Sequence, residues 1–200
     1  MAYIEEILRK GVHFGSVIIP VSAVFVPRME MVLFLAALAF TLVLIDLLRS
    51  RNRVFRRFFL GIFGKVLRGK EQDGAMTAST VLVASAAFTI LVFRTEIAVA
   101  SLVFLSVGDS FAALVGRKFG TTPLVSGRTL EGSLAALLSC LIVSIPVLQL
   151  SSNLGWKLSP QGLAAGALAA TIAELIEIPL DDNLRIPVFA GLVMELVVPG

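Results

Sequence analysis

Apolar stretches alternate with short polar segments along the chain, and each stretch approaches the length of a membrane-crossing helix. Such a helix needs roughly 20 predominantly apolar residues. The stretches lie at 11–27, 29–48, 77–93, 95–116, 130–150, 162–178 and 186–198. The pattern predicts an all-α fold, a polytopic integral membrane bundle of about seven transmembrane helices that forms a single domain over 1–200.

The composition supports this class. The chain is 57% hydrophobic and 16% charged, with a mean hydropathy of +0.94, whereas soluble domains are roughly 45–50% apolar and about 25% charged. A secretory signal is the alternative for the first stretch, because Arg9 and Lys10 precede it, but no clear small-x-small cleavage site leads into a soluble domain. Cys140 lies inside the fifth stretch, where we expect a small packing residue and no disulfide.

The distribution of Lys and Arg over the loops predicts the orientation in the membrane. With a cytoplasmic N-terminus, all but three of the 17 cations lie on the cytoplasmic side. The three exceptions are Arg28, Arg94 and Lys157, one in each outer loop. The same topology places nearly every conspicuous polar cluster on the cytoplasmic face.

The segment 49–76 is the one long connection, and it mixes phenylalanines with many cations. The cations are Arg49, Arg51, Arg53, Arg56, Arg57, Lys65, Arg68 and Lys70. This mixture is typical of an amphipathic helix lying on anionic headgroups, although ordinary positive-inside charge explains it equally well. Because the cations flank membrane stretches, the pI near 9.4 does not indicate nucleic-acid binding.

Asp109 lies inside an apolar stretch, where a charge is costly and is by default a functional hypothesis. Small residues at 108, 112, 116 and 120 form a helical stripe beside it, which is typical of a packing seam. Packing alone does not require the carboxylate. With Arg117 and Lys118 following, we expect a site where oxygen ligands hold Mg²⁺ and cations meet phosphate.

A second cluster precedes the fifth stretch, in the sequence GRTLEGS over 127–133. A helix N-terminus next to the Arg128 guanidinium is a ready phosphate site. The structural alternative is a capping box that begins at Thr129 or Ser126. Glu131 lies in the first turn of the same predicted helix.

Acidic residues concentrate over 173–187. Glu174 and Glu177 are one turn apart, and we expect them on one helical face with Pro179 ending the helix. Asp181, Asp182 and Asn183 follow in a turn. An Asx-rich turn explains the last two residues but not the buried glutamates, so we favour a role in binding Mg²⁺.

The fourth cluster lies at the start of the first stretch. Arg9 and Lys10 are four and three residues before His13, so the three side chains can share one helical face. Taken alone, they are also explained as a topology signal and an interfacial histidine.

Together the clusters supply carboxylates, phosphate-binding cations and helix N-termini, which is the inventory of a phosphoryl-transfer site. The chain has no GxxxxGK[ST] loop, no kinase-type glycine loop and no HExxH or Cys/His zinc pattern. The residues alone therefore predict a membrane-embedded, metal-dependent enzyme that acts on a phosphate compound and a lipid.

Four motifs, in order along the chain, resemble the CTP-dependent lipid alcohol kinases, the family of dolichol kinase, phytol kinase and the CTP-dependent diacylglycerol kinase. They are Arg9-Lys10-x-x-His13, Gly108-Asp109-Ser110-x-Ala112-x-x-x-Gly116-x-x-x-Gly120, Thr129-x-Glu131-Gly132, and Glu174 followed by Asp181-Asp182-Asn183-Leu184-x-x-Pro187. Glu71, after Leu67 and Arg68 and before Thr77, is similar to a further part of the family pattern.

The resemblance implies transfer of the γ-phosphate of CTP, with Mg²⁺, to an isoprenoid alcohol of the polyprenol, dolichol or phytol type, or to diacylglycerol, at the cytoplasmic surface. By matched position, the metal would be served by Asp109, Asp181, Asp182 and Asn183, and the nucleotide by Gly116, Arg117, Lys118, Gly120, Arg128 and Thr129. The catalytic set would be Arg9 and Lys10, which neutralise charge, His13 as a base near the acceptor hydroxyl, Asp109 and Glu131. Supporting residues would be Glu71, Glu174 and Glu177.

One position departs from the family pattern, and two other functions are alternatives. Arg128 stands where the family usually has lysine, so a planar guanidinium replaces a point charge.

A phosphatidate cytidylyltransferase also uses CTP and shares parts of the motifs, but its later Gly-His-Gly-Gly segment with Asp-Arg-x-Asp is absent from this chain. An ion-coupled transporter would line a path across the bilayer with its acidic residues instead of gathering them at one face. Nothing in the apolar stretches specifies the acceptor chain or the number of subunits.

Overall fold

The computed structural model describes residues 2–64, 66–67 and 69–198. This part of the chain is helical and contains no β-strand, which confirms the all-α class. The α-helices are α1 (Ala2–Gly15), α2 (Ile18–Phe25), α3 (Arg28–Arg51), α4 (Arg53–Phe63), α5 (Gly69–Gln72), α6 (Ala78–Val92), α7 (Thr95–Phe119), α8 (Leu130–Leu154), α9 (Pro160–Leu175) and α10 (Asp182–Val197).

Helix α7 lies at the centre of the bundle. It contacts α1, α2, α6, α8, α9 and α10, and every residue from Ile97 to Gly108 is buried. No charged residue occurs between Glu96 and Asp109, so this stretch can be surrounded by other helices without leaving a charge unpaired. Asp109 therefore lies where a fully buried segment ends.

Helices α7 and α8 approach each other closely along the predicted stripe of small residues. A Cβ added at Gly108 would lie 2.8 Å from Cys140 Sγ, and one added at Gly132 would lie 2.8 Å from the carbonyl oxygen of Ala112. Cys140 is a buried free thiol, as expected for a packing residue. The stripe brings the start of α8 against the end of α7.

Three helices of the described chain are long and apolar enough to cross a membrane, namely α3, α7 and α8, and α6 is a shorter apolar helix. In the most apolar part of each helix, only 22% of the α3 residues are buried, against 78% of the α7 residues. Helix α3 therefore has an exposed apolar surface, which is typical of a helix that contacts lipid, whereas α7 is surrounded by protein. The count of seven spans and the cytoplasmic N-terminus stay predictions.

The first predicted span, 11–27, is not one continuous helix. Helix α1 ends at Gly15 and α2 begins at Ile18. Pro20 has no N–H to donate to the carbonyl of Ser16, which interrupts the helical hydrogen bonds at this point. The carbonyl of Ser16 instead accepts the N–H of Ile19 at 2.9 Å, and the Ser16 hydroxyl donates to the carbonyl of His13 at 2.6 Å.

The prediction that Glu174 and Glu177 share one helical face is also wrong. Helix α9 ends at Leu175, and Ile176 is extended. Pro179 disfavours helical geometry at the residue before it, and the chain leaves the helix before this proline. Glu177 consequently lies outside the helix that carries Glu174.

The connection 49–76 contains the predicted amphipathic helix, here α4. Asn52 separates it from α3 and caps it, because its side-chain oxygen accepts the N–H groups of Val54 and Phe55 at 2.9 and 3.1 Å. None of its residues is buried. Two of the predicted cations of this connection, Lys65 and Arg68, lie outside the described residues.

Candidate active site

An ion pair joins the first helix to the end of the buried part of α7. The Lys10 ammonium donates to the Asp109 carboxylate, and His13 Nε2 lies 3.1 Å from Asp109 Oδ2. The side chains of Lys10 and Asp109 are only 8% and 12% exposed, so their attraction is screened little by water. A contact of 2.8 Å between Ser16 Oγ and Ser106 Oγ holds the α1–α2 junction beside this pair.

Arg128 joins the loop before α8 to α9 and α10. Its guanidinium donates to the Glu174 carboxylate and, at 2.7 Å, to Asp182 Oδ2. Asp182 also accepts a hydrogen bond from Arg185. Glu174 and Arg185 are buried. The planar fork of an arginine reaches two carboxylates at once, which a lysine ammonium in this position would not do with the same geometry.

The loop that carries Arg128 is held by its own hydrogen bonds. Thr129 is the N-cap of α8 and accepts the N–H of Gly132 at 3.2 Å. The Glu131 carboxylate accepts the hydroxyl of Thr121 at 2.6 Å and the N–H of Thr122 at 3.1 Å. These contacts stabilise the loop at both of its ends, so the backbone that carries Arg128 is held in place.

The polar cavity, of about 240 Å³, lies among these side chains. Its charged lining comprises Arg9, Lys10, Asp109, Arg117, Arg128, Glu174 and Asp182. The remaining wall is made by small residues of the α7–α8 seam, including Gly116 and Gly132, together with the cap residue Thr129. Cations beside a helix N-terminus are suited to bind phosphate groups.

The apolar cavity, of about 340 Å³, adjoins the polar cavity. Its apolar lining comprises Val12, Ile18, Ile19, Leu38, Val66, Leu67, Ala78, Leu82 and Val83. The two cavities share Arg9, Lys10, Asp109 and Asp182, and His13 lines the apolar one. The Lys10–Asp109 pair therefore lies at the boundary between the polar cavity and the apolar cavity.

The predicted magnesium ligands are not gathered in a cage. Within the described chain, no group of three or more His, Cys, Asp or Glu side chains is placed to hold a metal ion. Magnesium is commonly bound through one or two carboxylates together with substrate phosphates. Asp109 and Asp182 line both cavities, so the residues present fit an ion that is shared with a bound phosphate.

Several predicted nucleotide and catalytic residues lie beside the polar cavity instead of lining it. The Lys118 ammonium lies 5.1 Å from the ring centroid of Phe119. Gly120 permits close packing, because a Cβ there would lie 2.6 Å from Thr129 Cγ2. Glu131 holds the loop, as described above. The described contacts of these three residues are with the protein itself, so we interpret them as residues that position the loop and not as nucleotide ligands.

The residues of the predicted acidic cluster have different structural roles. Asp181 is the N-cap of α10 and accepts the N–H of Asn183 at 2.9 Å. Asn183 is buried and lines the apolar cavity, and its carbonyl accepts the Ser85 hydroxyl at 2.7 Å. Glu177 is exposed and lines neither cavity. Of the acidic residues in 173–187, only Glu174 and Asp182 line the polar cavity.

A second buried charge cluster supports one wall of the apolar cavity. Sequence reasoning named Glu71 as a supporting residue, but it missed Asp46 and gave Arg49 no role in the site. We call Asp46, Arg49 and Glu71 the Arg49 cluster. Arg49 is fully buried and donates to the Asp46 carboxylate at 2.9 Å and to the carbonyl of Glu71. The Asp46 carboxylate also accepts the Thr80 hydroxyl at 2.7 Å, and the Glu71 carboxylate accepts the N–H of Ala78 at 3.0 Å. The signal was present in the sequence, since Asp46 is a carboxylate inside an apolar stretch, as Asp109 is.

The fold and the site together define a class, namely a helical membrane protein with a charged cavity that adjoins an apolar one. An uncharacterized protein of Rickettsia prowazekii is 31% identical to this chain over 183 residues, which are 90% of this chain and 88% of that protein. No protein-family model matches the chain. No solved structure matches it.

Several relatives with assigned names are kinases of lipid alcohols. Probable phytol kinase 2 of Glycine max is 35% identical over 121 residues, which are 55% of this chain and 41% of that protein. CTP-dependent diacylglycerol kinase 1 of Schizosaccharomyces pombe is 28% identical over 167 residues, which are 76% of this chain and 74% of that protein. The chain thus spans about two fifths of the soybean phytol kinase. The names of these relatives match the CTP-dependent lipid alcohol kinase family that the motifs of this chain resemble.

Proposed function

We propose that this protein is a membrane kinase that transfers the γ-phosphate of CTP to the hydroxyl of a lipid alcohol at the cytoplasmic face. The observation that carries this proposal is the shared wall of the polar and apolar cavities. A lipid kinase must bring a highly charged donor and a hydrocarbon acceptor together at one point. The Lys10–Asp109 pair lies at such a point.

The polar cavity is the proposed site for the nucleotide phosphates. Arg9, Arg117 and Arg128 supply positive charge there, and the N-terminus of α8 supplies backbone N–H groups. Arg128 is already oriented by Glu174 and Asp182. An oriented guanidinium loses little freedom when it binds phosphate, which favours tight binding.

The apolar cavity is the proposed site for the acceptor. A lipid alcohol that places its chain among Leu38, Leu82 and Val83 would bring its hydroxyl to the boundary near His13 and Asp109. The hydroxyl oxygen would form a bond to the γ-phosphorus while the bond to the bridging oxygen of CDP breaks. The Asp109–His13 pair would accept the hydroxyl proton. Lys10 would neutralise charge on the transferred group.

Magnesium is part of the proposal. Asp109 and Asp182 would hold Mg²⁺ together with phosphate oxygens, and the bound ion would neutralise charge on the donor. The carboxylates are now neutralised by Lys10, Arg128 and Arg185. We therefore expect bound Mg²⁺ to compete with these cations for the two carboxylates.

The donor is proposed to be CTP because two of the relatives are named CTP-dependent diacylglycerol kinases. The acceptor is an isoprenoid alcohol or diacylglycerol, since the phytol kinases and the diacylglycerol kinases are both relatives. The gathering of charges around one cavity favours an enzyme over a transporter with a polar path across the bilayer.

The test uses purified protein in lipid nanodiscs with Mg²⁺ and, in separate samples, a panel of lipid alcohols or phosphatidate. CTP labelled at the γ-phosphate should yield a labelled lipid and unlabelled CDP. CTP labelled in the cytosine should leave no label in the lipid. The opposite result, with the cytidine group in the lipid and γ-label in pyrophosphate, would contradict the kinase and support a cytidylyltransferase.

A further inference from the structure

Helix α4 has two apolar faces, and only one of them packs against the protein. On the inner face, the ring centroids of Phe55 and Phe59 are 6.3 Å apart, and those of Phe59 and Phe63 are 4.8 Å apart. The guanidinium of Arg49 lies 5.4 Å from the centroid of Phe59. Phe59 therefore fastens α4 to the Arg49 cluster, whereas Phe63 at the end of the helix is 48% exposed.

The outer face consists of Val54, Phe58 and Ile62, which are spaced four residues apart and so share one side of the helix. They are 78%, 67% and 58% exposed. Arg53 and Arg57 are also exposed, and their positions lie along one edge of this stripe. An apolar stripe bordered by arginines is typical of a helix that lies in the plane of a membrane surface.

The position of α4 in the chain places it at that surface. Helix α3 is a candidate membrane span that ends at Arg51, and Asn52 breaks the helix and caps α4. The polar side chain of Arg56 turns toward the protein, where it donates to the carbonyl of Gln72 at 2.9 Å. Arg53 and Arg57 are thus the two arginines of α4 that remain exposed beside the apolar stripe.

We propose that α4 is an in-plane membrane anchor whose outer face binds anionic phospholipid headgroups. Val54, Phe58 and Ile62 insert at the boundary of the acyl chains, and Arg53 and Arg57 bind the lipid phosphates. The occupant is the anionic lipid of the bilayer that contains the protein, because the exposed charges of the helix are all positive. This inference does not depend on the proposed kinase activity.

The experiment measures which lipid lies beside the outer face. A fluorophore is attached to Phe58→Cys, and the protein is placed in nanodiscs that contain brominated phosphatidylglycerol or brominated phosphatidylcholine at equal fractions. Cys140 is buried, which limits labelling to the introduced cysteine. We expect stronger quenching by the anionic lipid, and the excess should shrink as salt is added, because salt screens exposed charges.

Matched variants separate charge from simple lipid exposure. In Arg53→Gln/Arg57→Gln, the preference for the anionic lipid should disappear while quenching itself persists. A label at Ile142→Cys, a position that is 67% exposed on α8, should be quenched equally by both lipids. Equal quenching by the two lipids at Phe58→Cys would overturn the anionic site. Absence of quenching by either lipid there would overturn the anchor.

Discussion

Lys10 donates a hydrogen bond to Asp109 across 99 positions of sequence. The pair lies in the wall that the polar and apolar cavities share. Both side chains are largely buried, so water has little access to either member of the pair. The contact therefore joins α1 to α7 and also lies where we propose that a charged donor and a lipid acceptor meet.

Asp109→Asn should lower kcat for lipid phosphorylation by roughly 10²–10⁴-fold, because an amide neither accepts the hydroxyl proton nor binds a cation as a carboxylate does. The rate is measured with CTP, Mg²⁺ and the preferred lipid alcohol. Asp73→Asn is the matched control, since the Asp73 side chain is 84% exposed and lies outside both cavities. Native-like activity in a folded Asp109→Asn protein would remove this residue from the proposed mechanism.

Arg128→Gln should lower kcat/KM for CTP by roughly 10²–10³-fold, because a preorganised cation facing the phosphates is lost. Arg128→Lys should restore part of this loss, since it returns the charge without the fork that reaches Glu174 and Asp182 together. Steady-state kinetics at varied CTP concentration separate the two variants. If both behave as the native protein does, Arg128 does not contact the nucleotide.

Leu82→Trp should raise KM for the lipid acceptor by roughly 10- to 200-fold while KM for CTP stays unchanged, because the indole fills space in the apolar cavity. Leu91→Trp on the same helix is the control, since Leu91 is exposed and does not line the cavity. A parallel rise in both KM values would indicate general disruption and would contradict a separate acceptor compartment.

Asp46→Ala should destabilise the protein by about 3–5 kcal/mol, because it leaves the fully buried Arg49 without its carboxylate partner. Replacing both residues, as in Asp46→Leu/Arg49→Met, should cost less than the single change, since no charge is then left buried. Denaturant unfolding in detergent gives the free energies of unfolding. If Asp46→Ala were as stable as the double variant, Asp46 and Arg49 would not be energetically coupled.

Gly132→Ala should destabilise the protein by about 1–3 kcal/mol, because the new methyl group would meet the carbonyl oxygen of Ala112 at 2.8 Å and force α7 and α8 apart. Gly61→Ala is the matched control, since a Cβ at Gly61 has no neighbour within 4 Å. Alanine is the better helix former, so the control should be neutral or slightly stabilising. Equal thermal stability of the two variants would contradict a tight α7–α8 seam.

Much of the candidate site was predictable, because charges inside apolar stretches or directly before them are easily seen. Asp109, Lys10 and Arg128 were each identified as single features, and each lines the polar cavity. The roles of Asp181 and Glu131 were less predictable. A cap and a ligand have the same side-chain chemistry, and only the local hydrogen bonds distinguish them.

The sequence by itself determined the helical class and the inventory of charged residues, because an apolar chain must satisfy its backbone hydrogen bonds within helices before it can enter lipid. Only the tertiary structure decided which charges meet. Lys10 pairs with Asp109, Arg128 with Glu174 and Asp182, and Arg49 with Asp46. Arg49 and Asp46 lie three residues apart on α3, whereas the contacts of Lys10 and Arg128 join segments far apart in the chain. These long-range contacts depend on how the helices pack, and hydrophobic periodicity along one helix carries no information about its neighbour.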